Sequence, residues 1–212
     1  DLNMPGGSDY MEKEVLQAVK DGTLPERCID DSARRVLKLV FRAAETLRKK
    51  AACDYEAHHA LAKRAAAEGA VLLKNEGGIL PLKQGAKIAV IGAMAKNLRY
   101  QGAGSSHINP TGLSQPLDFL PDAIYAPGCD DRGDTTDALL EKARKAAQQA
   151  EIAVVFAGLP DRCESEGFDR DDMKMPAGHL RMIEAVASAN SNTIVVLLCG
   201  SAVECPWANR VK

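Results

Sequence analysis

Three short apolar segments constrain what this chain can fold into. Residues 87–92 (KIAVIG), 152–157 and 193–199 are almost continuously apolar and rich in β-branched side chains, which predicts buried β-strands. Helical patterns separate them, over about 135–150 and 177–189. Strands that alternate with helices and are apolar along their whole length are typical of a parallel sheet covered on both faces. We therefore predict an α/β fold, a layered sandwich with a mostly parallel sheet.

The residues before the first predicted strand show helical patterns only. Ser8 is a suitable N-cap for a helix over residues 9–20, and Asp30 or Asp31 is suited to cap a second helix over residues 33–47. The basic residues of this second segment are spaced to lie on the solvated face of that helix. Helices are therefore expected to precede the sheet.

A charged segment over residues 48–54 marks a change in pattern, because an alanine-rich helix is predicted to follow it, over about 56–73. Charged, exposed segments are common at domain boundaries. We place a boundary near residue 50. Residues 1–50 then form a helical unit with a linker, and residues 51–212 form the α/β-sandwich domain.

Charge and composition exclude several classes of protein. The formal net charge is -2 at pH 7, whereas binding to nucleic acid or to a membrane surface is usually marked by a basic patch. No apolar run reaches the roughly 18 residues that a membrane-spanning helix needs. We expect neither nucleic acid nor a membrane as a partner.

The cysteines indicate the compartment. All six are scattered, without a CxxC pair and without a histidine at zinc-finger spacing. Scattered thiols in a chain of this length favour a reducing compartment, so we expect a cytoplasmic protein without a metal site or a cofactor. The chain begins at Asp1 rather than at a methionine, so we expect its natural N-terminus to be missing.

The predicted sheet indicates where a site should lie, because ligands bind beyond the carboxyl ends of the strands in open α/β sheets. Three loops start there, over residues 92–116, 158–176 and 200–210. The second is rich in acidic residues, and its Glu166 precedes Gly167, which allows the backbone to bend. A glutamate whose pKa is raised by its surroundings suits general acid catalysis of glycosidic bond cleavage. A solvated acidic loop without chemistry is the alternative, and a Ca²⁺ site is disfavoured because the EF-hand spacing is absent.

The other two loops carry weaker signals. Residues 101–110 (QGAGSSHINP) combine glycines, which allow close approach of a ligand, with the polar side chains of Ser105, Ser106 and His107. Only the GxG of a dinucleotide fingerprint is present, so a non-catalytic domain that binds a sugar or a nucleotide is the alternative function. In the third loop, Ser201 lacks the G-x-S-x-G context of an activated nucleophile.

Several segments, in this order along the chain, together resemble family 3 glycoside hydrolases. The resemblance covers nearly the whole chain, from the end of the family's catalytic barrel through most of its α/β-sandwich domain. It rests on DLNMPGG, SARRVLKLVFR, AKRAAAEGAVLLKNEGGILPL, KIAVIGAMA, QGAGSS, ESEGFDRDDMKMP and NTIVVLLCGSAVECPW. It implies a retaining β-glucosidase that hydrolyses terminal β-D-glucosyl residues.

The resemblance also implies roles for individual residues. Glu166 matches the family's general acid/base, the glutamate directly before the glycine, and Glu164 is the less favoured alternative two positions earlier. Ser105 is implied to reach toward the bound glycosyl unit, and the adjacent pair Asp169 and Arg170 to orient the loop that carries Glu166. The residues assigned to substrate binding are Ser105, Gly104, Asp169 and Arg170.

By the same resemblance, the nucleophile is an aspartate of the barrel, upstream of this chain. The implied partners are that missing barrel domain and a substrate that is a β-glucoside or a short oligosaccharide. We therefore expect a fragment, also truncated at its C-terminus, that is close to inactive by itself. An open sheet edge and uncovered apolar surface would favour self-association.

Overall fold

The computed structural model describes residues 1–3, 6–49 and 52–212. It divides into two compact units, Asp1–His58 and His59–Lys212, which we describe separately. The domain boundary predicted near residue 50 falls at residues 50 and 51, which lie outside the described residues. Residues 4 and 5 of the segment DLNMPGG also lie outside them.

The first unit begins with helix α1, which spans Asp9–Lys20. It starts where the sequence predicts, after Ser8, whose hydroxyl oxygen accepts a hydrogen bond from the Met11 backbone N–H at 3.4 Å. A side-chain oxygen at this position satisfies one of the backbone donors that a helix start leaves without a partner.

Helix α2 spans Glu26–Arg48, so the predicted start at residue 33 is wrong. Pro25, whose φ is -63°, directly precedes the helix, and this fixed angle suits the first turn of a helix. No residue of α2 is buried. The helix exposes the large apolar side chains of Leu37, Leu39, Val40, Phe41 and Leu47.

Helix α3 spans Tyr55–Gly69 and ends before the predicted end at residue 73. Glycine is a poor helix former, and the chain leaves helical geometry after Gly69. The Lys74 ammonium group then donates hydrogen bonds to the carbonyls of Ala208 and Val211, both at 2.7 Å. These bonds hold the residues after α3 against the end of the chain.

The second unit contains a four-stranded sheet in which all neighbouring strands are parallel. The strands are β1 (Ile88–Ile91), β2 (Ile124–Ala126), β3 (Ile152–Gly158) and β4 (Thr193–Leu198), in the spatial order β2-β1-β3-β4. β1, β3 and β4 coincide with the three predicted strands, which confirms the α/β fold with its parallel sheet. The sequence does not predict β2, because three residues give no recognisable strand pattern.

Both faces of the sheet are covered. Helices α4 (Asp137–Gln148) and α5 (Ala177–Ala189) lie on one face, and their side chains pack against the strands in a core that includes Ala89, Ile91, Leu140, Val155, Met182, Ile183 and Val186. Residues 79–86 and 117–123 supply the side chains that cover the other face, over Ile88, Val90, Val154, Phe156 and Ile194. Full burial of one such aliphatic side chain stabilises a protein by roughly 1.5–3 kcal/mol, so the two clusters stabilise the sheet from both faces.

Within the described part of the chain, none of the helices combines the length and the apolar character needed to cross a membrane.

Candidate active site

The three loops singled out from the sequence meet at the carboxyl edge of the sheet. Because β1, β3 and β4 are parallel neighbours, the loops that follow them start side by side. They line an open cleft of about 990 Å³, whose walls include Arg99, Ser105, Glu164, Glu166, Gly200 and Ser201. A substrate can therefore contact all three loops at once.

Glu166 is exposed in this cleft and contacts the glycine-serine loop, residues 102–106. Its Oε2 atom accepts hydrogen bonds from the Ser105 backbone N–H, at 2.8 Å, and from the Ser105 hydroxyl group. Its own backbone N–H donates to the Ala103 carbonyl at 3.4 Å. The structure thus brings two predicted site residues, 61 positions apart in the sequence, into direct contact.

Gly104 allows the glycine-serine loop to pack this closely. Its φ is +86°, and a Cβ atom at this position would lie 2.6 Å from the Cβ atom of Glu166. A larger residue would be strained by the backbone conformation and would displace the glutamate. In this structure, then, Gly104 contacts the candidate acid/base itself.

The hydrogen bonds from Ser105 lower the pKa of Glu166. The hydroxyl group has the largest effect and the backbone N–H the second, while slight desolvation acts in the opposite direction. A carboxyl group with a lowered pKa is ionised near neutral pH, so it accepts a proton rather than donating one. This arrangement suits the base step of hydrolysis, whereas the acid step needs surroundings that raise the pKa.

Glu164, unlike Glu166, is mostly buried. Its side chain is 15% exposed, and its Oε2 atom lies 2.5 Å from Nη1 of Arg99. Oε2 also accepts a hydrogen bond from the Gly200 N–H at 3.0 Å, and Oε1 accepts one from the Ser201 hydroxyl at 2.6 Å. Arg99 Nη2 donates to the Glu164 backbone carbonyl at 3.2 Å. A single residue therefore joins the three loops.

The net effect of these contacts is to lower the pKa of Glu164. Desolvation raises it, but the hydrogen bonds from Ser201, Arg99 and Gly200, together with the charge of Arg99, outweigh desolvation. A carboxylate held in this way is ionised, and both of its oxygens are occupied. The geometry therefore favours Glu166 over Glu164 for proton transfer to a substrate.

Asp169 and Arg170 line the same cleft. Nη2 of Arg170 donates to the Ala202 carbonyl at 2.7 Å and so connects the loop after β3 to the loop after β4. Its Nη1 atom is buried and has no hydrogen-bond partner within residues 1–3, 6–49 and 52–212. His107, by contrast, lines a neighbouring cavity of about 350 Å³.

Two contributors to the cleft are missed by sequence reasoning. Arg99 is not identified at all, and Ser201 is considered only as a nucleophile. Both belong to loops at the predicted edge, but Arg99 and Glu164 are 65 positions apart, and only the tertiary structure shows that they pair. Across the described ranges, no group of three or more His, Cys, Asp or Glu side chains is arranged to hold a metal ion.

This arrangement, a parallel sheet with one buried and one exposed glutamate at its carboxyl edge, occurs in a domain of a known family. The glycosyl hydrolase family 3 C-terminal domain matches residues 70–212. The chain therefore belongs to glycoside hydrolase family 3.

Several curated relatives match over the whole chain, including the following two. The thermostable β-glucosidase B of Acetivibrio thermocellus is 47% identical over 220 residues, which cover 100% of this chain and 29% of that protein. The exo-α-(1→6)-L-arabinopyranosidase of Bifidobacterium breve is 40% identical, covering 100% of this chain and 30% of that protein. The chain thus spans less than a third of the length of either relative.

The fold is also similar to that of a solved relative. The crystal structure of a Bifidobacterium adolescentis GH3 β-glucosidase superimposes with a TM-score of 0.86 at 38% sequence identity. The match covers 98% of this chain and 32% of that one. The homologues of this chain are therefore glycoside hydrolases, and its fold is found within one of them.

Proposed function

We propose that this chain is part of a retaining β-glucosidase in which Glu166 is the general acid/base. One observation carries the proposal: of the two glutamates in the loop after β3, Glu166 is exposed in the cleft and contacts Ser105, whereas Glu164 is mostly buried and paired with Arg99. Membership of the family and the β-glucosidases among its relatives support the reaction class.

Retaining hydrolysis needs two carboxyl groups about 5–5.5 Å apart, one of them a nucleophile. Glu164 does not suit that second role, because its oxygens are engaged by Arg99, Gly200 and Ser201. We propose that the nucleophile is an aspartate of a barrel domain, as the family resemblance implies. Glu166 would protonate the leaving oxygen and then remove a proton from the water that attacks the glycosyl-enzyme.

The lowered pKa of Glu166 in this chain bears on the acid step, since a general acid must hold a proton before the bond breaks. A second carboxylate nearby raises the pKa of its neighbour. We propose that the nucleophile acts on Glu166 in this way, and that its conversion to an ester then lowers the pKa for the base step. The chain by itself lacks this second carboxylate and is expected to be close to inactive.

The test is Glu166→Ala in the protein that joins this chain to its barrel domain, assayed with cellobiose and with dinitrophenyl β-glucoside, each with and without azide. Cellobiose hydrolysis should fall about 10²–10⁴-fold, the usual contribution of general acid–base catalysis. The activated substrate should still form glycosyl-enzyme, because its leaving group needs no proton, and azide should accelerate turnover. The control is Asp161→Ala, which removes a largely exposed carboxylate earlier in the same loop. Unchanged hydrolysis of both substrates would show that Glu166 is only a surface acid.

The protein that joins this chain to its barrel domain can also be used to measure which sugar is preferred. The two curated relatives are named as a β-glucosidase and an arabinopyranosidase, so kcat/KM should be compared for aryl β-D-glucoside and aryl α-L-arabinopyranoside. We expect the glucoside to be preferred. Preference for the arabinoside would change the proposed substrate and leave the role of Glu166 intact.

A separate experiment tests the alternative function. Tight binding of ATP by the chain in calorimetry would favour a nucleotide-binding module instead.

A further inference from the structure

We propose that Glu164 is a positioning residue for the acid/base. It acts through a clamp, defined here as the Glu164 carboxylate with the groups that bind it on Arg99, Gly200 and Ser201. This rests on the proposed function, because it takes Glu166 as the reacting carboxyl group. Glu164 then supports Glu166 rather than competing with it for the same role.

The clamp is built around a charge pair that is largely withdrawn from water. The Arg99 and Glu164 side chains are 14% and 15% exposed. Asp161 also faces Arg99, at 3.4 Å, but is 64% exposed. Removing one partner of a buried pair leaves an uncompensated charge and is strongly destabilising, whereas exposed pairs contribute little. Glu164, not Asp161, therefore fixes the position of Arg99.

The clamp reaches Glu166 through a very short connection. Only Ser165 separates the two glutamates, and consecutive Cα atoms are about 3.8 Å apart, so a fixed Glu164 confines Glu166 to a small volume. Arg99 and Ser105 both belong to the loop after β1. The Arg99–Glu164 and Ser105–Glu166 contacts are thus successive links between the same two loops.

The loop after β4 also packs closely against the Glu164 carboxylate. A Cβ atom on Gly200 would lie 3.2 Å from the Oε2 atom of Glu164, and the Gly200 N–H donates to that oxygen. The Ser201 hydroxyl occupies the other oxygen. Because Glu166 is exposed and sits on a loop, its placement relative to a substrate depends on this support from its buried neighbour.

The test is Glu164→Gln in the protein that joins this chain to its barrel domain. Glutamine keeps the size of the side chain and removes its charge, and Asp161→Asn is the matched control for an exposed carboxylate facing the same arginine. We expect kcat on cellobiose to fall about 10- to 100-fold in Glu164→Gln, since a displacement of about 1 Å can have that effect. KM and the rate on dinitrophenyl β-glucoside should change much less, azide should accelerate turnover far less than in Glu166→Ala, and Asp161→Asn should behave as the unaltered protein.

Amide hydrogen exchange in the 212-residue chain gives a readout that does not depend on activity. Glu164→Gln should speed exchange at the Gly200 and Glu166 amides by about tenfold or more, through local opening, while amides within β3 stay protected. If the variant does not fold, Ser201→Ala removes one link of the clamp and should give the same pattern more weakly.

Three outcomes would overturn the inference. Activity and exchange in Glu164→Gln equal to those of Asp161→Asn would show that there is no clamp. Azide rescue in Glu164→Gln as large as that expected of Glu166→Ala would make Glu164 itself the acid/base. Faster exchange without any loss of kcat on cellobiose would show that the clamp does not position Glu166. Failure of the proposed function is distinct from all of these, because it would appear as full activity in Glu166→Ala.

Discussion

The loop after β3 has two halves that are held in opposite ways. Residues 163–165 are partly buried, and Arg99 and Ser201 bind the Glu164 carboxylate from two other loops. Residues 166–169 are exposed, and Glu166 contacts the glycine-serine loop. A loop that places a reactive group must be both fixed and accessible. Here residues 163–165 are fixed and residues 166–169 are accessible, so the two halves of the loop each meet one requirement.

The largest effect in this comparison is expected where the glycine-serine loop meets the exposed half. Gly104→Ala should lower kcat on cellobiose about 100-fold in the protein that includes the barrel domain, because the new Cβ atom would collide with Glu166 and misplace it. Gly85→Ala is the control, since Gly85 has a φ of +80° but a Cβ atom there would meet nothing within 4 Å. It imposes the backbone strain without the collision. Equal activities of the two variants would show that the Gly104 contact is not needed.

A smaller effect, on the free energy of unfolding, should distinguish the two halves of this loop. Ser201→Ala and Ser105→Ala each delete one hydroxyl group, the first from the buried glutamate and the second from the exposed one. Ser201→Ala should lower the free energy of unfolding by about 1–3 kcal/mol, because it leaves a mostly buried charge without one of its donors. Ser105→Ala should change it by less than about 0.5 kcal/mol, because water can replace the hydroxyl group. Urea denaturation of the 212-residue chain measures both, and equal losses would contradict the comparison.

The parts of the fold that the sequence predicts are those with a strong local pattern. β1, β3 and β4 are continuous apolar runs, and α5 is predicted with the bounds that the structure has. β2 has three residues and is recognisable only by its pairing with β1. The start of α2 is mispredicted because the polar stretch after Pro25 has no apolar face to mark it as helical.

In the candidate site, too, some features are predictable from the sequence and others only from the tertiary structure. The topology rule predicts that the three loops meet, since it needs only strand order and direction. The pairings within the site, Arg99 with Glu164 and Ser105 with Glu166, depend on how two loops approach each other over 65 and 61 positions of sequence. Composition alone favours a solvated acidic loop, the family resemblance assigns chemistry to it, and the coordinates separate its buried glutamate from its exposed one.

The smallest expected effect concerns the pKa of Glu166 in Ser105→Ala. The Ser105 hydroxyl is the main cause of the lowered pKa, so its removal should raise the pKa toward the ordinary value for glutamate. A lowered pKa in the folded state gives stability that is present above the unfolded-state pKa and lost as pH falls through the folded-state pKa. The variant should therefore lose less stability on acidification. NMR titration of the glutamate carboxyl carbons measures the shift, with Glu164, which Ser105 does not contact, as the internal control.

In the protein with its barrel domain, the same variant decides between two roles for Ser105. If Ser105 mainly binds the glycosyl unit, as the resemblance implies, Ser105→Ala should raise KM and leave the pH profile unchanged. If it mainly tunes Glu166, the alkaline limb of kcat/KM should move to higher pH, because that limb reports the pKa of the general acid in the free enzyme. The direct hydrogen bond between the two residues leads us to expect the second result. A shift of the alkaline limb to lower pH would contradict both roles, since neither the loss of a donor nor the loss of a substrate contact can stabilise the ionised carboxylate.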